Sequence, residues 1–350
     1  MLPEGAPDNR CPMHLIVPFA GGPSQGLRAA LEGLRLPHLT DCLTRWRAEP
    51  ADRAAATSLT PPHERALGRV LGLQAEDGCW PLAAVEAAQR GLPGADQTWA
   101  WLSPAHWRLG TEQVSMADPA ALGLDEAAAR AFLASLQPSF AEEGIALHEA
   151  APQRWLAAHP SLFEGVPCAS VDRAAGRNVD PWLPADPRTR RLRGLQSEVQ
   201  MLWHEHSLNQ AREARGQLAV NSVWWSGCGR AGPVAWPASL VVDERLRGAA
   251  LSEDGPAWGR ALEALDETAL GPLVAAAARG EPAALTLCGE QASVTLRPSG
   301  PDAGMGPVAV AGAGAARRAA AWWRAIGSSL RRARAGWQRQ ASLAAWLEQL

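Results

Sequence analysis

The sequence predicts an α/β chain, and three observations carry that prediction. The apolar run Met13-His14-Leu15-Ile16-Val17-Pro18-Phe19 is closed by Ala20-Gly21-Gly22-Pro23 and followed by a helical stretch at about 25–35. A short buried strand, a glycine-rich turn and a helix make a common opening for α/β domains. Leu195, Val199, Leu202 and Trp203 form an apolar stripe at helical spacing in a stretch running from Leu192 to His206. Residues Ala284 to Arg297 alternate on both sides of Gly289-Glu290-Gln291, the pattern of a β-hairpin.

The remaining elements follow in order. Residues 1–12 are polar and proline-rich and read as a disordered extension, with Met13 as a candidate start. Stretches 60–73 and 80–90 read as helices. Asp125 and Glu126 open a helix through Gln137, with Leu124, Phe132, Leu133 and Leu136 able to share a face. Gly144-Ile145-Ala146-Leu147-His148 and Ser239-Leu240-Val241-Val242 are strand-like, and 257–279 is helical and alanine-rich. Residues 299–314 read as a glycine- and proline-rich loop, and 315–350 as a helix. The domain expectation is an N-terminal part of the core at 13–95, a central domain at 96–230 and a C-terminal part of the core at 231–350.

Composition narrows the function classes. Net charge is −3, too small for a global field that draws the chain to nucleic acid or membrane. No signal-peptide pattern or membrane-length apolar run is seen, so the expected location is cytoplasmic, with reduced thiols. The six cysteines (Cys11, Cys42, Cys79, Cys168, Cys228, Cys288) include no CxxC pair. All 33 residues of the Lys and Arg class are arginine. A Walker loop is thereby excluded, and no GxGxxG follows the first strand.

The densest polar constellation lies at 196–230. If the helix continues past His206, then His206, Asn209 and Arg212 share a face. With Arg215, Asn221, Ser222, Gly227 and Gly229, and with Asp172 and Arg177 upstream, they make a candidate site for a small anionic ligand. The alternative is a helix-to-strand junction in which buried Asn and Arg satisfy backbone groups. His204-x-His206 with Cys168 or Asp172 is a poor chelate, because i and i+2 point to different helix faces. Ser24, Cys168 and Cys228 lack the sequence context of a nucleophile. Trp224-Trp225 and Trp322-Trp323 read as core residues.

The pattern H-x-x-N-x-x-R at 206–212, then Asn221-Ser222 and an apolar run into Gly227-Cys228-Gly229, resembles the central domain of archaeal-type cofactor-independent phosphoglycerate mutases. A closer resemblance is to the RpfE family of bacterial regulatory proteins. It is carried by the opening strand, Pro61-Pro62-His63-Glu64-Arg65-Ala66-Leu67, Trp101-Leu102-Ser103-Pro104-Ala105-His106-Trp107, Gly176-Arg177-Asn178-Val179-Asp180-Pro181-Trp182-Leu183-Pro184 and the 196–229 constellation. The resemblance implies a reduced alkaline-phosphatase/phosphoglycerate-mutase-like core with an inserted α+β substrate-type domain. Mutase chemistry needs a Ser nucleophile and two divalent metals held by Asp and His. Here Phe19-Ala20-Gly21-Gly22 stands where an Asp follows the first strand, and no His occurs after His206.

The expectation is a non-catalytic or catalytically reduced regulatory protein, with no cofactor and no metal. Its ligand would be a small phosphorylated or carboxylate metabolite, with a protein partner also possible. One alternative is a phosphomutase or phosphohydrolase. The other is a nucleic-acid or protein-binding module acting through the basic stretch that holds Arg317, Arg318, Arg324, Arg331, Arg332, Arg334 and Arg339.

Overall fold

In the computed structural model, residues 14–21, 24–31, 33–94, 96–299, 347 and 350 are described. The expected N-terminal extension, most of the loop at 299–314 and most of the basic C-terminal stretch lie outside them. The chain opens with β1 (His14–Val17), α1 (Gln25–Ala30), α2 (Pro37–Arg45), β2 (Trp46–Ala48) and β3 (Asp52–Arg53). There follow α3 (Pro62–Val70), α4 (Leu82–Gln89), β4 (Thr98–Ala105), β5 (Trp107–Leu109), β6 (Val114–Met116), α5 (Glu126–Glu142), β7 (Ala146–Ala151) and β8 (Arg154–His159). Next come α6 (Val171–Ala174), α7 (Arg190–Trp203), α8 (Ser207–Glu213) and β9 (Ser222–Gly229). The chain continues through β10 (Leu240–Val242), α9 (Arg247–Leu251), α10 (Gly255–Leu265), α11 (Gly271–Ala278), β11 (Ala284–Cys288) and β12 (Ala292–Pro298). Among the described residues no helix is long and apolar enough to cross a membrane.

These elements form two compact units, residues 1–53 with 237–350, and residues 54–236. The boundary expected at 95/96 falls inside the second unit, between α4 and β4.

In the first unit the sheet order is β10-β1-β11-β12-β2, with β3 also pairing with β12. β1 is parallel to β10 and β11, while β12 is antiparallel to β11 and β2. Every residue of β11 is buried, as expected of a strand covered on both faces. Leu15, Val17, Leu285 and Leu287 pack with Leu27, Leu39, Trp258 and Leu262. The expected hairpin at 284–297 is the β11–β12 pair. The helical stretch expected at 257–279 is interrupted by a π-helical turn at Asp266–Leu270. Asp266 accounts for the break: its buried carboxylate accepts from the backbone N–H groups of His38 (3.2 Å) and Leu39 (2.6 Å) at the start of α2. Those are two of the N–H groups that a helix start leaves without intrahelical partners.

The second unit is built on the antiparallel sheet β7-β8-β4-β9. Trp155 and Ala157 of β8 join one core with Phe132, Leu136, Leu195, Val199 and Trp203; Leu156 and Ala158 face a second core with Ala83, Ala84 and Ala87. Helices cover both faces, so β8 carries no polar alternation. Phe132 meets Trp203 edge-on at 5.2 Å between ring centroids. α5 runs five residues past the expected end at Gln137 despite Pro138, because Phe140 buries its side chain in the same core.

Candidate functional site

The expected continuous helix through His206 breaks: α7 ends at Trp203 and α8 starts at Ser207. His206 is the N-cap of α8, its Nδ1 accepting from Leu208 N–H at 3.2 Å, and its ring lies 6.3 Å from Phe132. Asn209 is buried and fully engaged. Its Nδ2 donates to the carbonyls of Trp203 (2.9 Å) and Val220 (2.8 Å), and its Oδ1 accepts from Val220 N–H (2.8 Å). Arg212, also buried, donates from Nε to Leu218 O (2.8 Å) and from Nη2 to Leu122 O (2.5 Å).

Arg215 is exposed and folds back onto Ala211 O at 2.9 Å. The Asn221 side chain clamps Trp107, accepting from its N–H (2.7 Å) and donating to its carbonyl (2.8 Å). Ser222 Oγ receives Gln196 and Gln200 Nε2 at 3.4 and 3.0 Å. The glycines are conformational: Gly227 has φ 63°, and a Cβ there would lie 2.6 Å from the Trp101 ring, while Gly229 has φ 142° and packs on Pro81. Asn209, Arg212 and Asn221 thus direct their polar atoms at this chain's own backbone, the arrangement of a helix-to-strand junction.

Asp172 sits elsewhere, in a cluster assembled by α3 and α6. His63 Nε2 lies 3.2 Å from Asp172 Oδ2, and both side chains are nearly enclosed. Beside this pair, Ser170 Oγ donates to Glu64 Oε1 at 2.5 Å. Ser170 also caps α6, accepting from Asp172 N–H at 3.3 Å. Glu64 as a whole residue is only half-buried, yet its carboxyl end is enclosed by His63, Ser170, Asp172 and Arg173. The packing round the carboxyl decides its acidity. Burial pushes Glu64 up to about 7; His63, the Ser170 hydrogen bond and Arg173 pull it back, and Asp172 pushes it further up. Arg173 is buried with its guanidinium 5.7 Å from the Trp182 ring centre. Arg177 is half-buried at the end of the same segment, where its carbonyl accepts from Met116 N–H at 3.1 Å.

The sequence alone singled out Asp172 and Arg177 as site residues but not His63, Glu64, Ser170 or Arg173. Ser170 and Glu64 are 106 residues apart. Nothing in local spacing announces that contact.

α3 is held in place by Gly68, against which the Trp80 ring packs; a Cβ at 68 would lie 2.2 Å from Trp80 Cε3. Gly68→Ala should therefore cost about 1–3 kcal/mol through overpacking, read as a lower unfolding midpoint in urea.

Next to the cluster, Pro167, Cys168, Ala169, Trp182, Leu192 and Trp225 line part of an apolar cleft that opens to solvent. Trp224 and Trp225 set its walls by donating from Nε1 to Ala169 O (2.8 Å) and Leu192 O (3.2 Å).

In the first unit, the segment after β1 carries no Asp. Phe19 takes a left-handed φ of 58°, rare for a bulky residue, and its carbonyl accepts from Trp258 Nε1 at 3.0 Å. A Cβ at Gly21 would lie 3.1 Å from each of Gly289 Cα, Leu347 O and Leu350 Cβ. Leu350 O accepts from the N–H groups of Gln291 (3.0 Å) and Ala292 (2.7 Å). Any side chain at position 21 would have to displace these neighbours. Among the described residues no group of three or more His, Cys, Asp or Glu could hold a metal ion.

The described residues define a mixed α/β protein with a buried ionic cluster in its second unit. Two solved structures are similar to it. One is the cofactor-independent phosphoglycerate mutase from Thermoplasma acidophilum DSM 1728, at 14% identity over 83% of this chain and 90% of that one, with a TM-score of 0.32. The other is a Pyrococcus horikoshii protein, at 13% identity over 83% of this chain and 88% of that one, with a TM-score of 0.39. No family model and no curated protein matches the chain.

Proposed function

We propose that this chain is a catalytically reduced regulatory protein that binds a small phosphorylated or carboxylate metabolite beside the His63–Asp172 and Ser170–Glu64 pairs. The observation that carries the binding half is the convergence of four ionisable side chains and one hydroxyl, with a carboxyl raised toward neutrality, next to a cleft. Strongly perturbed carboxyls cluster at functional sites. The resemblance to the RpfE family supports the regulatory half, and its mutase-like scaffold, a reduced core with an inserted domain, belongs to the same proposal. A location in the cytoplasm follows from that reading.

The test is a thermal shift with phosphoglycerates on the wild-type chain and on Asp172→Asn. A saturable rise in Tm for wild type, reduced at least tenfold in apparent affinity for the variant, is expected. An equal rise in both would remove Asp172 and its cluster from the binding site.

A second reading, a phosphomutase or phosphohydrolase, is favoured by one detail. The Ser170 hydroxyl rests on a carboxyl whose acidity suits a general base near neutral pH. That reading requires divalent metal in the purified protein. Two ions per chain by elemental mass spectrometry would support it, and a metal-free protein with no activity gained on metal addition would rule it out.

A further inference from the structure

The wall of the cleft carries a feature that the proposed function does not use. Cys228 lies in β9, wholly buried, and Cys168 lies in the coil ahead of α6 and lines the cleft. Their sulfurs are 3.5 Å apart. The pairing of β4 with β9 matches Trp99 with Gly229 and Trp101 with Ser226, so Gly227 and Cys228 together oppose the single residue Ala100. This bulge is possible because Gly227 adopts φ 63° and Gly229 φ 142°, and it leaves Cys228 between two glycines. Cys168 is anchored by its own N–H, which donates to Gly78 O at 2.9 Å.

We propose that Cys168 and Cys228 are a peroxide-sensitive dithiol that closes to an intrachain disulfide. An S–S bond is about 2.05 Å long, so the sulfurs must approach by roughly 1.5 Å. With both backbones held in place, the approach comes mainly from rotation of the two cysteine side chains. Hydrogen peroxide is small enough to reach Cys168 through the cleft.

The chemistry balances in two steps. The Cys168 sulfur attacks one peroxide oxygen, the O–O bond breaks, and the departing hydroxide leaves as water with the thiol proton. Cys168 is then a sulfenic acid. The Cys228 sulfur attacks the Cys168 sulfur, the S–O bond breaks, and the Cys228 proton leaves with the oxygen as a second water. Two electrons and two hydrogens pass from the thiols to one peroxide.

The roles are set by geometry. Cys168 faces the cleft, and Cys228 is positioned behind it to resolve. The hydrogen bond to Cys168, followed by burial, pushes the Cys228 thiol well above its ordinary value. Cys228 is therefore the less reactive thiol toward peroxide.

The experiment uses the full chain. After hydrogen peroxide treatment under native conditions, remaining thiols are alkylated in denaturant and the peptides are mapped by mass spectrometry. The expected product is a peptide pair joining Cys168 to Cys228, two hydrogens lighter, with Cys42 alkylated and the link lost on treatment with dithiothreitol. In Cys228→Ser, dimedone should trap a sulfenic acid at Cys168. If that variant fails to fold, the wild-type map decides alone. Full alkylation of Cys168 and Cys228 at peroxide doses that oxidise half-buried Cys79 would overturn the proposal, as would a Cys79–Cys168 link in its place.

Discussion

Asn209→Ala should destabilise the 54–236 unit by about 3–4 kcal/mol. The substitution leaves the Val220 N–H and carbonyl without partners and removes one of the two donors to the Trp203 carbonyl, which keeps His206 N–H at 3.4 Å; each buried group left unpaired costs about 1–3 kcal/mol. A small cavity adds to this, while partial entry of water offsets some of the loss. For a unit of this size, that corresponds to a fall in Tm of roughly 6–16 °C. Arg215→Ala is the control, because its guanidinium is exposed and bonds only to its own helix turn. It should move Tm by no more than about 2 °C, in keeping with the small effect of surface substitutions. A stable Asn209→Ala that lost a metabolite-induced shift would return the 206–221 constellation to the ligand site.

The second large effect is on pH dependence. Glu64 ionises at about 7 in the folded chain against an ordinary value of 4.5. The folded state thus holds the proton more tightly than the unfolded state does. Its contribution is fully present below about pH 4.5 and is lost as the pH rises through about 7. The amplitude is about 3 kcal/mol, because each tenfold change in acid strength corresponds to about 1.4 kcal/mol. Glu64→Gln keeps the shape and an oxygen for the Ser170 hydroxyl but cannot ionise. The variant should match wild type near pH 4.5 and exceed it by up to about 3 kcal/mol above pH 8. Urea unfolding of both proteins at a series of pH values reads the difference directly. Parallel curves would mean that the Glu64 carboxyl is hydrated in the folded chain.

Much of the secondary structure was legible because it rests on short-range rules. Leu15, Ile16 and Val17 mark a short buried strand, the Gly289-Glu290-Gln291 turn marks a hairpin, and Leu195, Val199 and Trp203 mark a helix face, whereas Leu202, read as part of the same stripe, is exposed. Where the structure departs from those rules, a tertiary contact decides. The helix expected through His206 ends three residues earlier. His206 acts as an N-cap, a role usually taken by Ser, Thr, Asp or Asn. Asn209 bridges two elements and so needs the helix to break.

The polar motif at 206–221 was visible as a motif, but its purpose was not. Whether Asn and Arg bind a ligand or a carbonyl depends on what the fold brings within hydrogen-bond reach of them. The Ser170–Glu64 contact is illegible for the opposite reason. Its partners are ordinary residues far apart in the chain, with no periodicity linking them. Pro61-Pro62-His63-Glu64 drew notice only through family resemblance, and α3 gives that segment its chemical setting.

The absence of lysine has a practical corollary. Three arginines of the second unit, Arg65, Arg173 and Arg212, are almost wholly enclosed, whereas Arg108, Arg193 and Arg215 stand in solvent. Arginine-selective dicarbonyl reagents will therefore divide the side chains into two kinetic classes. The exposed set reacts at its intrinsic rate, and the enclosed set reacts only as fast as the unit opens. With no lysine amine to compete, adduct formation at Arg173 and Arg212 becomes a clock for the breathing of this fold.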